Sequence, residues 1–259
     1  MKLIKKILVI TTICAFTASA FAQSQTVQKK DTKSKESETS VESEYLNDID
    51  SEIIMSLANS DEYDNKLVAL QYLQNAIEDG NTSAGVIQAL DKLAGEGVTS
   101  ESRTRGRLIN NFPDIRRQAC LLLAKVPTEH TKNTLVSIVM GDAEPMVVAA
   151  AVRSLGDIGI NNNDEVVEAI AFANRRNEVL NPTSALAFEV LNSFEVLYDK
   201  TENKKTMLDA IARIAVDYNY VTPVRQKAYK LLKTMSDSGS SSKKSSSKSK
   251  SQDEVTEVE

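Results

Sequence analysis

Tryptophan is absent from this chain, histidine occurs once, cysteine twice, and aromatic residues make up only 5% of its 259 positions. Each scarcity excludes something. A zinc cage needs four or so His, Cys or carboxylate ligands at set spacings, and His130 with two distant thiols does not supply one. A chromophore site asks for aromatic walls, which this composition barely provides. Gly-rich phosphate loops and nucleophile elbows are missing as well. The acidic stretches "NDIDSE" (47–52) and "SDEYDN" (60–65) lack the Gly and distal Glu of a calcium loop, and "NNND" (161–164) reads as a turn and cap. No catalytic, metal-binding or cofactor-binding residue is expected, and the chain does not read as an enzyme.

Long apolar runs are also lacking, with one exception near the start. Lys2, Lys5 and Lys6 precede "ILVITTICAFTASA", and Ala20-Phe21-Ala22 offers small residues where a signal peptidase reads them. The run is short for a spanning helix, which needs about 20 apolar residues. Residues 1–22 are therefore expected to be a signal peptide cleaved after Ala22, giving an exported protein, periplasmic or secreted. Cys14 follows Ile13 rather than the small residue of a lipobox, so cleavage is favoured over lipidation. Loss of three Lys and no acid takes the formal charge from −5 to −8. An acidic protein is ill-suited to neutralising phosphates, so no nucleic-acid partner is expected, nor any membrane span in the mature chain. Cys120 would then be the single remaining thiol. It sits in the apolar "RRQACLLLAK", where a buried structural role fits, and no disulfide can form within the chain.

Residues 23–44 and the Ser/Lys-rich then acidic stretch 236–259 contain almost nothing apolar. Neither can offset the entropy of ordering, so both are expected to be disordered, leaving 45–235 as the folded part.

What that part has is repetition. An apolar–x–x–x–Ala–x–x–x–Leu pattern fits Ile115/Ala119/Leu123, Val147/Ala151/Leu155 and Val224/Ala228/Leu232. It fits more loosely around Ala69 and Ala187. Spacing of four places each trio on one helical stripe, and the central Ala lets another helix approach closely. Between these lies apolar–x–small–apolar, at Ile87/Ala89/Leu90, Leu135/Ser137/Ile138, Val167/Ala169/Ile170 and Leu208/Ala210/Ile211. Two alternating helix types, A and B, account for both series. Asn181-Pro182 and Thr222-Pro223 read as cap-plus-Pro helix starts, with Thr128 a cap for the second B helix. Gly80, Gly95, Gly97, Gly141 and Gly156 read as ends or near-ends. No stretch alternates with period two, so essentially no strand is expected.

The A stretches resemble HEAT repeats, particularly the short phycobilisome-lyase-like kind, whose helices carry Val-Arg-x-x-Ala-x-x-x-Leu-Gly. "VRQKAYKLLK" (224–233) keeps Val, Arg, Ala and Leu; "IRRQACLLLA" (115–124) keeps Arg116 and Ala119; "VVAAAVRSLG" (147–156) keeps Ala151, Leu155 and Gly156. The resemblance implies an all-α, α-α superhelix (a HEAT/armadillo-type solenoid) of about four helix pairs plus a terminal helix. The 50-residue step from Ala69 to Ala119, against 32 for the next, marks 95–112 as an insertion or distorted repeat.

A fold of this kind implies a non-catalytic scaffold or adaptor of the cell envelope, with the B helices lining the inner surface for a protein or peptide partner. Gln88, Asp91, Lys132, Glu168, Arg175, Asp209 and Arg213, between the apolar B positions, would make the contacts. Arg103, Arg105 and Arg107 of the insertion, with Arg116 and Arg117, invert the local charge and could receive a carboxylate-rich partner. His130 reads as exposed or capping. Two other readings remain open: a lyase-like enzyme or small-ligand carrier on the same fold, and a binder of anionic envelope polymer through its tail. Oligomeric state is left open.

Overall fold

The computed structural model describes residues 41–246, with side chains over 49–236. The expected signal peptide, most of the 23–44 linker and the acidic end of the tail lie outside the described residues.

Ten α-helices follow one another: α1 (Val41–Asn59), α2 (Tyr63–Glu78), α3 (Ala84–Ala94), α4 (Pro113–Leu123), α5 (Glu129–Gly141), α6 (Pro145–Ile158), α7 (Glu165–Leu180), α8 (Ser184–Leu197), α9 (Lys204–Val216) and α10 (Thr222–Ser246). Packing separates them into two rows. The even-numbered helices α2, α4, α6, α8 and α10 lie side by side in the A row, and the odd-numbered ones, α1 to α9, form the B row. The fold is an all-α helical-repeat superhelix. Relative to the sequence expectation it gains one helix: α1 packs on both α2 and α3 through Ile54 and Ala58, heading the B row and making five hairpins in all. Helical backbone begins at Val41 and runs to Ser246, past the expected limits of 45 and 235 at both ends.

The A stripe is the interior. Ala69, Ala119, Ala151, Ala187 and Ala228 are all buried, one on each A helix. Along the B row Ala89, Ala169 and Ala210 are buried too, whereas Ser137 is exposed. One continuous apolar core runs from Ile54 to Met235. Serines tie successive A helices together. Ser154 of α6 donates to the Cys120 carbonyl of α4 at 2.8 Å, and Ser193 of α8 donates to the Val152 carbonyl of α6 at 2.8 Å. Gly156 lies near the end of its helix, as expected, but is not the residue that ends it. α6 continues to Ile158 and stops at the left-handed Gly159. A Cβ at Gly156 would lie 2.7 Å from Ser193 Oγ and 3.0 Å from its Cα, so the glycine permits the closest contact of α6 with α8. The cap of α8 is Thr183, not Asn181, while Thr128 forms a reciprocal capping box with Thr131 at the start of α5.

The insertion contains the strands found among the described residues. β1 (Arg103–Thr104) and β2 (Arg107–Leu108) pair antiparallel across a two-residue turn. Both turn residues have positive φ, 51° at Arg105 and 79° at Gly106, the primed geometry that matches strand twist. Pairs two residues long leave no period-two pattern to read.

Candidate interaction surface

The insertion is anchored by a buried polar cluster. Arg116 on α4 is only 2% exposed. Its Nε donates to Asp142 Oδ2 at 2.6 Å and its Nη2 to Oδ1 at 3.3 Å, while Nη1 donates to the Glu96 carbonyl and to Asn111 Oδ1. Lys66 of α2, equally buried, meets Glu96 at 3.0 Å and donates to the Ala58 carbonyl at the end of α1. Asn110 donates to Glu96 and to the Ser100 carbonyl, and accepts from the Ser102 N–H. Gly97 closes the loop: with φ 72°, a Cβ there would stand 2.6 Å from the Asn110 carbonyl oxygen. Burying two cation–anion pairs is tolerable only when nearly every remaining donor and acceptor is met, as it is here.

This removes Arg116 from the expected partner-binding group, because its guanidinium is consumed in the interior. The hairpin arginines are exposed. Arg103 is engaged by Glu101 at 2.8 Å and by the Gly106 carbonyl, whereas Arg105, Arg107 and, on α4, Arg117 are exposed and form no ion pair among the described residues.

Several of the expected B-row contacts turn out to be engaged within the B row itself. Asp91 of α3 bonds His130 at 2.6 Å and Thr134 at 2.8 Å, both on α5. Lys132 of α5 is also buried, held by Glu129 at 3.1 Å and by Glu165 of α7 at 2.9 Å; the Glu165 bond, above all, holds its ammonium above the usual lysine range. Arg175 of α7 meets Asp209 of α9 at 3.5 Å, and Arg213 of α9 meets Asp209 at 3.3 Å and Glu178 at 3.7 Å. The Asp91–His130, Lys132–Glu165, Arg175–Asp209 and Arg213–Glu178 contacts step from one B helix to the next. Lys132 is thereby withdrawn from solvent, while Gln88, Glu168, Arg175, Asp209 and Arg213 remain exposed. His130 is exposed, as expected. Burial pushes the Cys120 thiol far above its ordinary range, with Asp142 adding to the effect, so it is an inert core thiol.

Two features were missed by sequence reasoning. Arg176 caps the preceding B helix, donating to the carbonyls of Met140 at 2.5 Å, Val139 at 3.2 Å and Asp142 at 2.8 Å. The second is an apolar edge. Every B-to-A turn falls on the same side of the double row, since the hairpins are antiparallel and the rows regular. On that side, Val179 and Leu180 at the end of α7 are 79% and 75% exposed, and Tyr218 after α9 is 87% exposed, flanked by the half-exposed Val216 and Val221. The two turns touch: the Val221 N–H donates to Ser184 Oγ at 3.0 Å, and Glu178 acts electrostatically on the buried Tyr220. An A/B repeat pattern cannot reveal such residues, because they follow the last helical turn that the pattern covers.

Furrows of about 340 Å³ between α6 and α8 and about 440 Å³ between α2 and α4 are the grooves of adjacent helices. Among the described residues no cluster of His, Cys, Asp and Glu could hold a metal, and no helix is long and apolar enough to cross a membrane.

Comparison with curated proteins and with solved structures gives no match. Residues 107–179, from β2 to the last turn of α7, match the family model for HEAT repeats, so this stretch of the two helical rows is similar to HEAT repeats.

Proposed function

We propose that this protein is a non-catalytic scaffold or adaptor of the cell envelope, exported by its N-terminal segment, periplasmic or secreted, and binding a protein partner along its helical-repeat surface. The short phycobilisome-lyase-like form of the repeat belongs to the same reading, on the strength of Val224, Arg225, Ala228 and Leu232. Helical repeats of this class commonly present extended surfaces to other proteins. The observation that carries the reading is the apolar edge at Val179, Leu180, Val216, Tyr218 and Val221, since contiguous exposed apolar groups on a folded protein mark interaction sites. The ion-paired B row supports it from the other direction: cross-helix pairs hold neighbouring repeats in register behind that edge.

Affinity capture with the full chain from an envelope fraction should recover a stoichiometric protein. The Val179→Asp/Tyr218→Ala variant, whose changes lie on exposed positions, should keep the helical circular dichroism and lose that protein. Capture of the same protein at equal yield by both chains would overturn the edge as the binding surface. Recovery of none by either would overturn the scaffold reading.

A further inference from the structure

The apolar edge and the arginine hairpin lie on the same side of the double row, because the insertion is itself a B-to-A connection, between α3 and α4. Direct contacts join them along that side. Val98 of the insertion lies against Gly141 at the end of α5, where an added Cβ would meet its Cγ1 at 4.0 Å, and Arg116 ties the Glu96 carbonyl of the insertion to Asp142. Arg176 then links α7 to the α5–α6 turn, and the Val221 N–H links the α9–α10 turn to Ser184. The result is one preorganised ridge, so little entropy is lost when a ligand lies along it. Its character changes from end to end. Arg105 and Arg107 are exposed at the α3–α4 connection, without an ionic partner among the described residues. Met140 and Met146 are exposed beside the next turn, and Val179, Leu180 and Tyr218 at the two after that.

Resting on the scaffold reading above, we propose that this ridge receives an extended segment of a partner protein, with carboxylates at one end and bulky apolar side chains at the other. Charge sets the acidic end. The protein is acidic overall, with a formal charge of −5, so the hairpin is a local inversion that attracts a carboxylate against a net field that opposes it elsewhere. Arginine forks also match carboxylates in geometry. Spacing sets the separation of the two ends. From α4, the turns before α8 and α10 lie two and three A-row steps away, roughly 18–27 Å at about 9 Å per packed pair. An extended chain crosses that in about six to eight residues at roughly 3.3 Å each. The apolar positions come as islands one turn apart, with the polar Glu144, Asn181 and Asn219 among them. Side chains alternating along a peptide match such islands. A continuous acyl chain would have to cross the polar ground between them, which favours a protein over a lipid.

Fluorescence anisotropy of labelled peptides against the full chain tests this. The probe carries about three glutamates, a Gly/Ser spacer of about seven residues and a Leu-Phe-Leu end. In about 50 mM salt it should bind at least about tenfold more tightly than its acidic or its apolar half alone, since a second foothold within reach acts at high effective concentration. Arg105→Glu/Arg107→Glu and, separately, Val179→Asp/Tyr218→Ala should each reduce its affinity to that of a single half. All four positions are exposed, and Glu at 105 meets the same left-handed backbone that Arg does, so the helical circular dichroism should not change. Near about 0.5 M salt, where exposed charges are screened, the parent should behave as the arginine variant does. A spacer of about two residues should forfeit the gain, because it falls short of the apolar turns. A probe that binds no more tightly than its apolar half, or that keeps its affinity with the short spacer or on the arginine variant, would sink the proposal. Displacement of the probe by phosphatidylglycerol vesicles would also overturn it, by making the ridge a lipid site. The two readings fail separately. An envelope protein captured equally by the parent and the arginine variant, yet lost with Val179→Asp/Tyr218→Ala, leaves the scaffold standing and removes the ridge-spanning segment.

Discussion

Arg116 carries more of the structure than any neighbouring side chain of its size. It bridges α4, the insertion and the α5–α6 turn from a position with 2% exposure. Arg116→Ala leaves Asp142 buried without its cation, and chemical denaturation should register a loss of about 3–5 kcal/mol. Removing both members, as Arg116→Met/Asp142→Leu, should cost clearly less, because no bare charge is left behind. Asp164 makes a smaller contribution that depends on pH. It accepts the backbone N–H groups of Asn203 at 2.6 Å and Glu202 at 2.9 Å, and the Asn203 bond, foremost, holds its carboxyl below the ordinary value of 3.8. A carboxyl depressed in the folded state stabilises above its unfolded value, and that stability is lost as pH falls through the lower, folded one. Asp164→Asn should therefore be less stable than the parent at pH 6, with the gap narrowing below about pH 4 in parallel denaturant titrations.

At the level of the helix, the small residues set how closely neighbours approach. Ala151 is fully buried at the middle of α6, between α4 and α8. Ala151→Asp would place an unpaired charge there, a loss of several kcal/mol in order of magnitude, and should abolish a cooperative thermal melt near the parental Tm. Gly156→Ala tests the same contact more gently. The added methyl meets backbone as well as hydroxyl of Ser193, so α6 and α8 must part. The variant should lose about 1–3 kcal/mol, the usual cost of overpacking, even though alanine favours a helix over glycine. A melt unchanged or raised would show that the two helices can separate freely.

Across the whole molecule, stability belongs to the stack. A solenoid buries each hairpin against the next, so its ends need a helix with one apolar and one polar face. α10 provides this at one end: Val224, Ala228, Leu231 and Met235 face inward, while Gln226, Lys230 and Lys233 face outward. Ending the chain after Ser236 should leave the melting temperature close to that of the full chain. Ending it after Val221 uncovers the faces of α8 and α9 on which α10 packs, and should give a product that binds hydrophobic dyes and aggregates.

The repeat pattern in the sequence was enough to specify two alternating helix types, their small central residues and thus an all-α stack, because periodicity reports which side of each helix must avoid water. It located Ala69, Ala119, Ala151, Ala187 and Ala228 in the interior, and Thr128 as a cap. It overlooked α1, whose Ile54 and Ala58 lack the repeated signature, and it gave Arg116 and Lys132 the same standing as exposed cations. Whether a charge faces water or a carboxylate depends on what a distant stretch of chain brings to it, and Asp142 and Glu165 arrive from 26 and 33 positions away. The apolar edge has the same origin: the turns that follow Leu180 and precede Val221 meet only because two loops, far apart in sequence, end on one side of the stack. Local spacing determines a helix and its buried stripe. Long-range packing alone decides which polar groups are spent inside and which apolar ones are left for a partner.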